Sequence, residues 1–368
     1  MNIFIEKAGL LMDLKKMVTN FFEDAPKSVI GIDIGSGNIK LAQVDISGKR
    51  PMVTNAVSAE LPVDMVNNGF IRMASQMTGF IKKLMGKNDF SAKYVVFSIG
   101  GRNAFVREIT VPPMPDEEMR QAAIWDAGQY VPYEANSYYT DAAKFGSPDA
   151  TGQQPMLLVA APKELVDTML EIGDGLGLIP LSVDIEVLSC YRILKEKFTE
   201  FVLLDIGRGY SLITIFQGGA PVAQRSIPHG SQMFDSAIAD SQGCSLDEAE
   251  KIKKEENILG TDDEAVHEKY KALFDAVDNM DREVHRTCEY YRINKKEAVF
   301  TNLVLTGGGA ALQGLEKYLN RNNDLQVSTL DVRQGVDFSG KIPQEERKGL
   351  AATCAVAIGA ALAGGEVQ

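Results

Sequence analysis

Histidine is scarce in this chain of 368 residues. There are three, His229, His267 and His285, and no two stand at metal-ligand spacing, so a histidine-built zinc site is not expected. The four cysteines, Cys190, Cys244, Cys288 and Cys354, are scattered and form no Cys-x-x-Cys pair. That usage suits reduced thiols in a cytosolic protein and excludes a disulfide framework. No stretch reaches the roughly 20 apolar residues that a bilayer span takes. Basic residues are also short, 38 Lys and Arg against 50 Asp and Glu, for a net charge of −12. A general nucleic-acid binder needs a basic face for phosphate contacts, so nucleic acid is not an expected partner.

What is present is ordinary folding material, 45% hydrophobic and 24% charged, in a length that suggests about two domains. The opening stretch carries charges throughout and has no small-residue cleavage site, which makes a poor signal peptide. Within residues 1–27, Leu10, Leu11, Leu14, Met17, Val18, Phe21 and Phe22 recur at three- and four-residue spacing, with Asp13, Lys15 and Lys16 opposite. This pattern predicts an amphipathic helix. Such a helix packs on its own domain or a partner, or rests weakly on a membrane surface.

The strongest signal is a repeat. "SVIGIDIG", "NIKLAQVDI", the turn "SGKRP" and "MVTNAVSAEL" return much later as "FVLLDIGRG", "YSLITIF", "QGGAP" and "VAQRSIP". Each copy predicts a three-stranded meander whose first strand ends in Asp-Ile-Gly at a tight hairpin, and two copies suggest two similar domains facing each other. Gly35 and Gly37, or Gly207 and Gly209, are plain turn glycines when taken alone. Two aspartates, Asp33 and Asp205, delivered by apolar strands to matching turns are more telling. Carboxylates facing one another across a cleft repel unless a cation lies between them. Mg²⁺ takes one or two carboxylates and leaves its other positions to substrate phosphates. Backbone N–H groups of the turns suit phosphate oxygens, and Lys40 adds a point charge.

A third element follows in "TNLVLTGGGAALQGLEKYL". It reads as an apolar strand, the triple glycine Gly307, Gly308 and Gly309, and a helix with Leu312, Leu315 and Leu319 on one face. Glycines there let the backbone approach a ligand, and a helix N-terminus favours an anion.

These three loops, in this order, resemble the actin-like ATPase superfamily of actin, chaperone ATPase domains and sugar kinases. The resemblance implies an α/β, two-lobed fold of duplicated ribonuclease-H-like domains around a nucleotide cleft, with ATP and Mg²⁺ as cofactors. It places Asp33, Gly35, Ser36, Gly37, Asn38 and Lys40 in the first phosphate loop. Asp205, Gly207, Arg208, Gly209 and Ser211 fall in the second, and Gly307, Gly308 and Gly309 in the adenosine loop. Asp33 and Asp205 become the metal carboxylates. "DIEVLSCYRIL" matches the first connecting helix, and Glu186 falls where the superfamily serves the metal or attacking water; a capping or surface glutamate is the plainer reading. "LDEAEKIKKEE" sets Glu250 and Lys253 three apart on one helical face, as in the helix that touches the ribose in related ATPases; a solvated charged helix is the alternative. "TCAVAIGAALAGG" matches the second, close-packed connecting helix.

Between the repeats, "YVVFSIGGRNAFVREITVPPMPDEEMRQAAIWDAGQYVPYEA" predicts a hairpin about "GGRN". A stiff extended run through Pro112, Pro113 and Pro115 follows, then a helix capped by Asp116 and stopped by Pro132. This segment closely resembles the PilM family of type IV pilus assembly ATPases, which shares the small 1C subdomain with the cell-division protein FtsA. The implied organisation is an N-terminal extension (1–27), a first lobe 1A (28–90 with 173–200), the inserted 1C (91–172), a second lobe 2A (201–235 with 301–368) and a mostly helical 2B (236–300). One departure stands out: Arg208 and Tyr210 occupy positions of the second hairpin where the family commonly has small residues.

The resemblance implies a cytoplasmic ATP-binding scaffold of a type IV pilus, or a related type II secretion system. Its expected partners are the short cytoplasmic N-terminal peptide of the inner-membrane protein PilN, bound between 1A and 1C, other inner-membrane platform components, and further copies of itself. Peripheral membrane association would come through those partners. Weak or absent ATPase activity is expected, with Glu186 the sole candidate for orienting water. Two rivals share the fold: an FtsA-like filament-forming ATPase, and a small-molecule kinase, for which no additional catalytic carboxylate is evident.

Overall fold

The computed structural model describes residues 26–366 except positions 63, 296, 297 and 323. All but the last two residues of the amphipathic segment expected over 1–27 lie outside the described residues. The chain divides into two compact units. One runs to Lys197 and resumes at Asp331, and the other is Phe198–Leu330.

The first unit opens with the meander the sequence predicts: β1 (Ser28–Ile34), β2 (Asn38–Asp45) and β3 (Met52–Glu60). A small hairpin of β4 (Val66–Asn67) and β5 (Phe70–Ile71) and the helix Ala74–Lys87 follow. β6 (Tyr94–Ile99) pairs parallel with β1. β1 and β6 are apolar runs without alternation, as expected for strands covered on both faces. The "GGRN" segment is therefore not a hairpin. A turn closed by Asn103 N–H to Gly100 O leads away from β6, whose two edges are taken by β1 and by β10 (see below), leaving none for the next strand.

That strand, β7 (Phe105–Val111), joins a separate antiparallel sheet with β8 (Tyr138–Lys144) and β9 (Gln154–Pro162), in the order β7-β9-β8. The helix Asp116–Trp125 packs on it through Met119 and Ala123, against Ile109, Val111, Met156 and Leu158. Asp116 begins this helix but does not cap it. Pro115 holds the cap position, and Asp116 pairs instead with Lys144 at 2.7 Å. Arg120 fixes the helix to the sheet through a 2.8 Å ion pair with the buried Asp141.

The helix Lys163–Gly175 returns the chain to β10 (Ile179–Ile185), parallel to β6, and the helix Glu186–Leu194 follows directly. The first sheet thus contains the run β3-β2-β1-β6-β10.

In the second unit, β11 (Phe201–Ile206), β12 (Ser211–Gln217) and β13 (Ala220–Ile227) form the second meander. β14 (Asn302–Thr306) lies parallel to β11, and β15 (Gln326–Thr329) parallel to β14. The order β13-β12-β11-β14-β15 repeats that of the first sheet strand for strand, with the same antiparallel and parallel pairings. Helices Ser231–Gln242, Leu246–Glu255 and Lys271–Asn294 come between β13 and β14. The core gathers Val202, Leu204, Ile213 and Ile215 of the sheet with Phe234, Ile238, Leu273 and Val277 of the helices.

Residues 331–366 rejoin the first unit rather than extending the second, as the domain expectation had it. β16 (Asp337–Phe338) pairs parallel with β3. The helix Ala355–Ala363 packs against β1 and against the 186–194 helix. Glycine permits both approaches: a Cβ at Gly31 of β1 would lie 1.8 Å from the Ala357 carbonyl oxygen, and one at Gly359 would lie 2.0 Å from that of Ser189.

Candidate functional site

In the first unit, β1 ends at Asp33 and Ile34, and the turn 35–37 reverses the chain into β2. The turn is tied by Gly35 N–H to Asn38 O (3.0 Å) and by Leu61 N–H to Gly37 O (2.9 Å). The register sets Asp33 opposite Lys40. Cross-strand partners project to one face, and the Lys40 ammonium meets the Asp33 carboxylate at 2.9 Å. Asp33 is buried and Lys40 partly open. On the other side of β1, Asp33 is in register with Ser98 of β6, whose buried hydroxyl oxygen has no hydrogen-bond partner. The sequence signal at Ser98 was hidden, because one serine in an apolar strand looks incidental until its neighbour is known.

Glu186 is the first residue of its helix, and its carboxylate accepts a hydrogen bond from Gly101 N–H at 3.1 Å. It thus ties the helix start to the turn that leaves β6. Two residues earlier, buried Asp184 meets Arg192 at 2.5 Å and Ser189 at 2.6 Å, and Arg192 also reaches Glu366 at 2.8 Å. The sequence reading did not anticipate this network, since its members lie up to 182 positions apart, from Asp184 to Glu366.

In the second unit, Asp205 stands at the end of β11 and the turn 207–210 follows. The start of the 231–242 helix holds that turn. Ser231 N–H donates to Gly207 O (2.8 Å) and Gln232 N–H to Arg208 O (2.9 Å). A Cβ at Gly230 would come within 2.3 Å of Arg208 O and 2.5 Å of Tyr210 N, so only glycine admits this contact. Ser211 is fully buried, and its hydroxyl donates to His229 O at 2.5 Å. Ser211 therefore braces the turn from behind, while Arg208 and Gly209 are exposed at the tip.

The triple glycine meets the same strand end. Gly307 has φ +82°, and a Cβ on it would fall 2.1 Å from Asp205 Oδ1; one on Gly309 would fall 2.1 Å from the Ile206 side chain. The fold thus brings Asp205 and the glycine loop together within this unit. Gly308 is exposed, with open space where a Cβ would be. The helix expected directly after the glycines is displaced. A single 3₁₀ turn, Gly308–Ala311, intervenes, and the helix proper is Leu315–Asn322. Leu312, Leu315 and Leu319 are nonetheless all buried.

The helix Leu246–Glu255 starts with a reciprocal Ser245–Glu248 capping box. Glu250 and Lys253 share one face, as expected, but take different partners. Lys253 is buried and meets Asp235 of the 231–242 helix at 2.5 Å. Glu250 pairs with Lys254 at 2.8 Å. The hydrogen bond from Lys254, then the charges of Lys254, Lys253 and Arg208, hold the Glu250 carboxyl below its usual value.

Among the described residues, no three His, Cys, Asp or Glu side chains gather as a metal-ligating group. Mg²⁺ does not demand one, since one or two carboxylates with water and phosphate complete its shell. Within the first unit the Asp33 carboxylate is paired with Lys40 and lies in register with Ser98, and within the second Asp205 lies beneath a loop that glycine alone lets approach.

The family model described as "Type IV pilus assembly protein PilM" matches residues 31–364. The chain belongs to this PilM family. A chain solved in a PilM–PilN type IV pilus biogenesis complex is 26% identical, covering 91% of this chain and 98% of that one, with a TM-score of 0.76. The ethanolamine utilization protein EutJ from Carboxydothermus hydrogenoformans is 16% identical over 95% of this chain and 98% of its own, with a TM-score of 0.55. MreB5 of Spiroplasma citri, solved with AMPPNP, is 13% identical over 93% and 95%, with a TM-score of 0.50. The last two share the fold. This PilM-family chain is thus an α/β protein of mixed sheets, of the kind seen in actin-like proteins such as MreB. No helix among the described residues is long and apolar enough to cross a membrane.

Proposed function

We propose that this chain is a cytoplasmic, ATP-binding actin-like scaffold of type IV pilus assembly that takes the cytoplasmic N-terminal peptide of a PilN-like inner-membrane protein. The family match over 31–364, with the 26% identical chain solved in a PilM–PilN complex, carries this reading. On this reading the two sheets of identical order are duplicated ribonuclease-H-like lobes. The β7-β9-β8 sheet with the 116–125 helix is the 1C element that offers the peptide groove. Association with the inner membrane is peripheral and comes through the partner.

Asp33 and Asp205 would hold Mg²⁺, and the two hairpin turns with Lys40 would hold the phosphates. Gly307 to Gly309 and Glu250 would hold the adenosine. When bound, Mg²⁺ would offset the charge of these carboxylates and the nucleotide phosphates would meet the turn N–H groups and Lys40, and Asp33 would have to exchange its contact with Lys40 to take part. Lys253, locked to Asp235, positions the helix that carries Glu250. Glu186 orients water if turnover occurs. Nucleotide shifts the protein between two states only to the extent that it binds one more tightly.

The test is capture of a PilN-type N-terminal peptide, with and without Mg²⁺–ATP, by wild type and Asp33→Asn. Wild type is expected to retain Mg²⁺–ATP and to change peptide affinity with it, and the variant to lose both behaviours. A variant that binds nucleotide and peptide as wild type does would remove Asp33 from the site.

A further inference from the structure

The fold leaves one buried hydroxyl of the first unit unexplained. Ser98 of β6 is 1% exposed, and its oxygen has no hydrogen-bond partner among the described residues. An unpaired polar group at that depth opposes folding, and alanine would fill the position without it. Register shows what the hydroxyl stands between: Asp33 of β1 on one side and Asp184 of β10 on the other. In-register residues of neighbouring strands project to one face, about 4.8 Å apart. The 355–363 helix covers that face, since a Cβ on Gly31, two residues before Asp33, would run into Ala357. The two carboxylates are not equally secured. Asp184 is held at 2.6 Å by Ser189 and at 2.5 Å by Arg192, all three buried. Asp33, also buried, has Lys40 at 2.9 Å, whose side chain is 23% exposed. A Lys40 that turns to a phosphate leaves Asp33 charged, buried and short of a partner.

We propose that Ser98 is a positioning residue of the first hairpin, its hydroxyl rotating onto the Asp33 carboxylate when Lys40 moves to a nucleotide phosphate. The inference rests on the nucleotide-binding reading above and deepens it with a residue that lies outside all three loops. The handover needs one staggered rotation about the Cα–Cβ bond of Ser98 and no movement of β6. The bond it makes is charge-assisted and stronger than one between neutral groups. It therefore keeps Asp33 ionised and fixed in orientation as the lysine leaves. A hydroxyl that opposes folding in the free protein thereby favours the nucleotide-bound one. Asp184 does not compete for it, because Ser189 and Arg192 already supply its donors.

The experiment measures Mg²⁺–ATP affinity, and the melting temperature of the free protein, for full-length wild type, Ser98→Ala, Ser98→Thr, Lys40→Met and the double variant Lys40→Met/Ser98→Ala. Ser98→Ala is expected to melt at or above wild type. It should nevertheless bind Mg²⁺–ATP roughly tenfold to a hundredfold more weakly, the loss typical of a hydrogen bond to a charged group. Ser98→Thr, which keeps the hydroxyl, should recover most of the affinity. With Lys40 gone the hydroxyl already serves Asp33, so adding Ser98→Ala to Lys40→Met should lower the melting temperature. A purely structural serine would show one and the same effect of Ser98→Ala in both backgrounds. That additivity would overturn the proposal, as would wild-type Mg²⁺–ATP affinity in Ser98→Ala or its melting well below wild type. Wild type that binds no nucleotide would instead overturn the proposed function, while the melting cycle, read without nucleotide, would still show whether Ser98 takes over Asp33.

Discussion

At the residue scale, the decisive chemistry of the first unit is the handling of buried charge. Arg192 and Asp184 are both almost wholly buried, and an unpaired charge there would be costly. Replacing Arg192 by alanine strands Asp184 and is expected to destabilise the protein by about 3–5 kcal/mol, read from the shift of the urea midpoint. Adding Asp184→Ala should recover part of that loss. Glu366, at the rim of the same network, gives a pH signature. Burial alone would raise its carboxyl, but the Arg192 charge and hydrogen bond outweigh burial and hold it below its ordinary 4.5. A depressed folded value means that its contribution is complete above the ordinary value and is lost as pH falls through the depressed one. The stability gap between wild type and Glu366→Gln should therefore be constant near neutrality and close in acid below pH 4.5.

At the scale of elements, glycine placement separates packing from mere turn-making. Gly31→Ala and Gly359→Ala each thrust a methyl group into a carbonyl at a crossing of the 355–363 helix. Each should cost about 1–3 kcal/mol or more. Gly79, exposed in the 74–87 helix with nothing within 4 Å of its Cβ position, should behave oppositely, and Gly79→Ala is expected to stabilise by up to about 1 kcal/mol. Thermal melting of the three variants checks the contrast. The Ala-rich composition of the 355–363 helix made its close packing legible in advance, as did the meanders with their Asp-Ile-Gly ends. All are patterns held within a dozen or so residues. The turn at Gly100–Asn103 was misleading because β6 lies mid-sheet, and strand order is not a local property. Lys253 was visible as a charge on a helix face, yet Asp235, which fixes it, lies on another helix. Ser98 and the Arg192–Glu366 contact were beyond reach for the same reason.

At the scale of the whole molecule, the second unit is one continuous segment, 198–330, set into a first unit made of two separated pieces. With its own sheet and a core from Val202 to Val327, the 198–330 segment alone is expected to give a cooperative unfolding transition. Expression of that fragment and circular dichroism on heating check this. A fragment ending at residue 197 should not match it, because Gly31 and Ser189 would lack the helix that packs on them.

The return of residues 355–363 to β1 also has a consequence in time. A chain emerging from the ribosome exposes its first strands long before their covering helix is synthesised. The helix begins at Ala355 and β1 ends at Ile34, a separation of 355 − 34 = 321 residues, so at ordinary translation speeds the gap is roughly 15–65 s. During that interval the later-encoded segment can finish folding while the earlier one waits, its apolar β1 face open to chaperones.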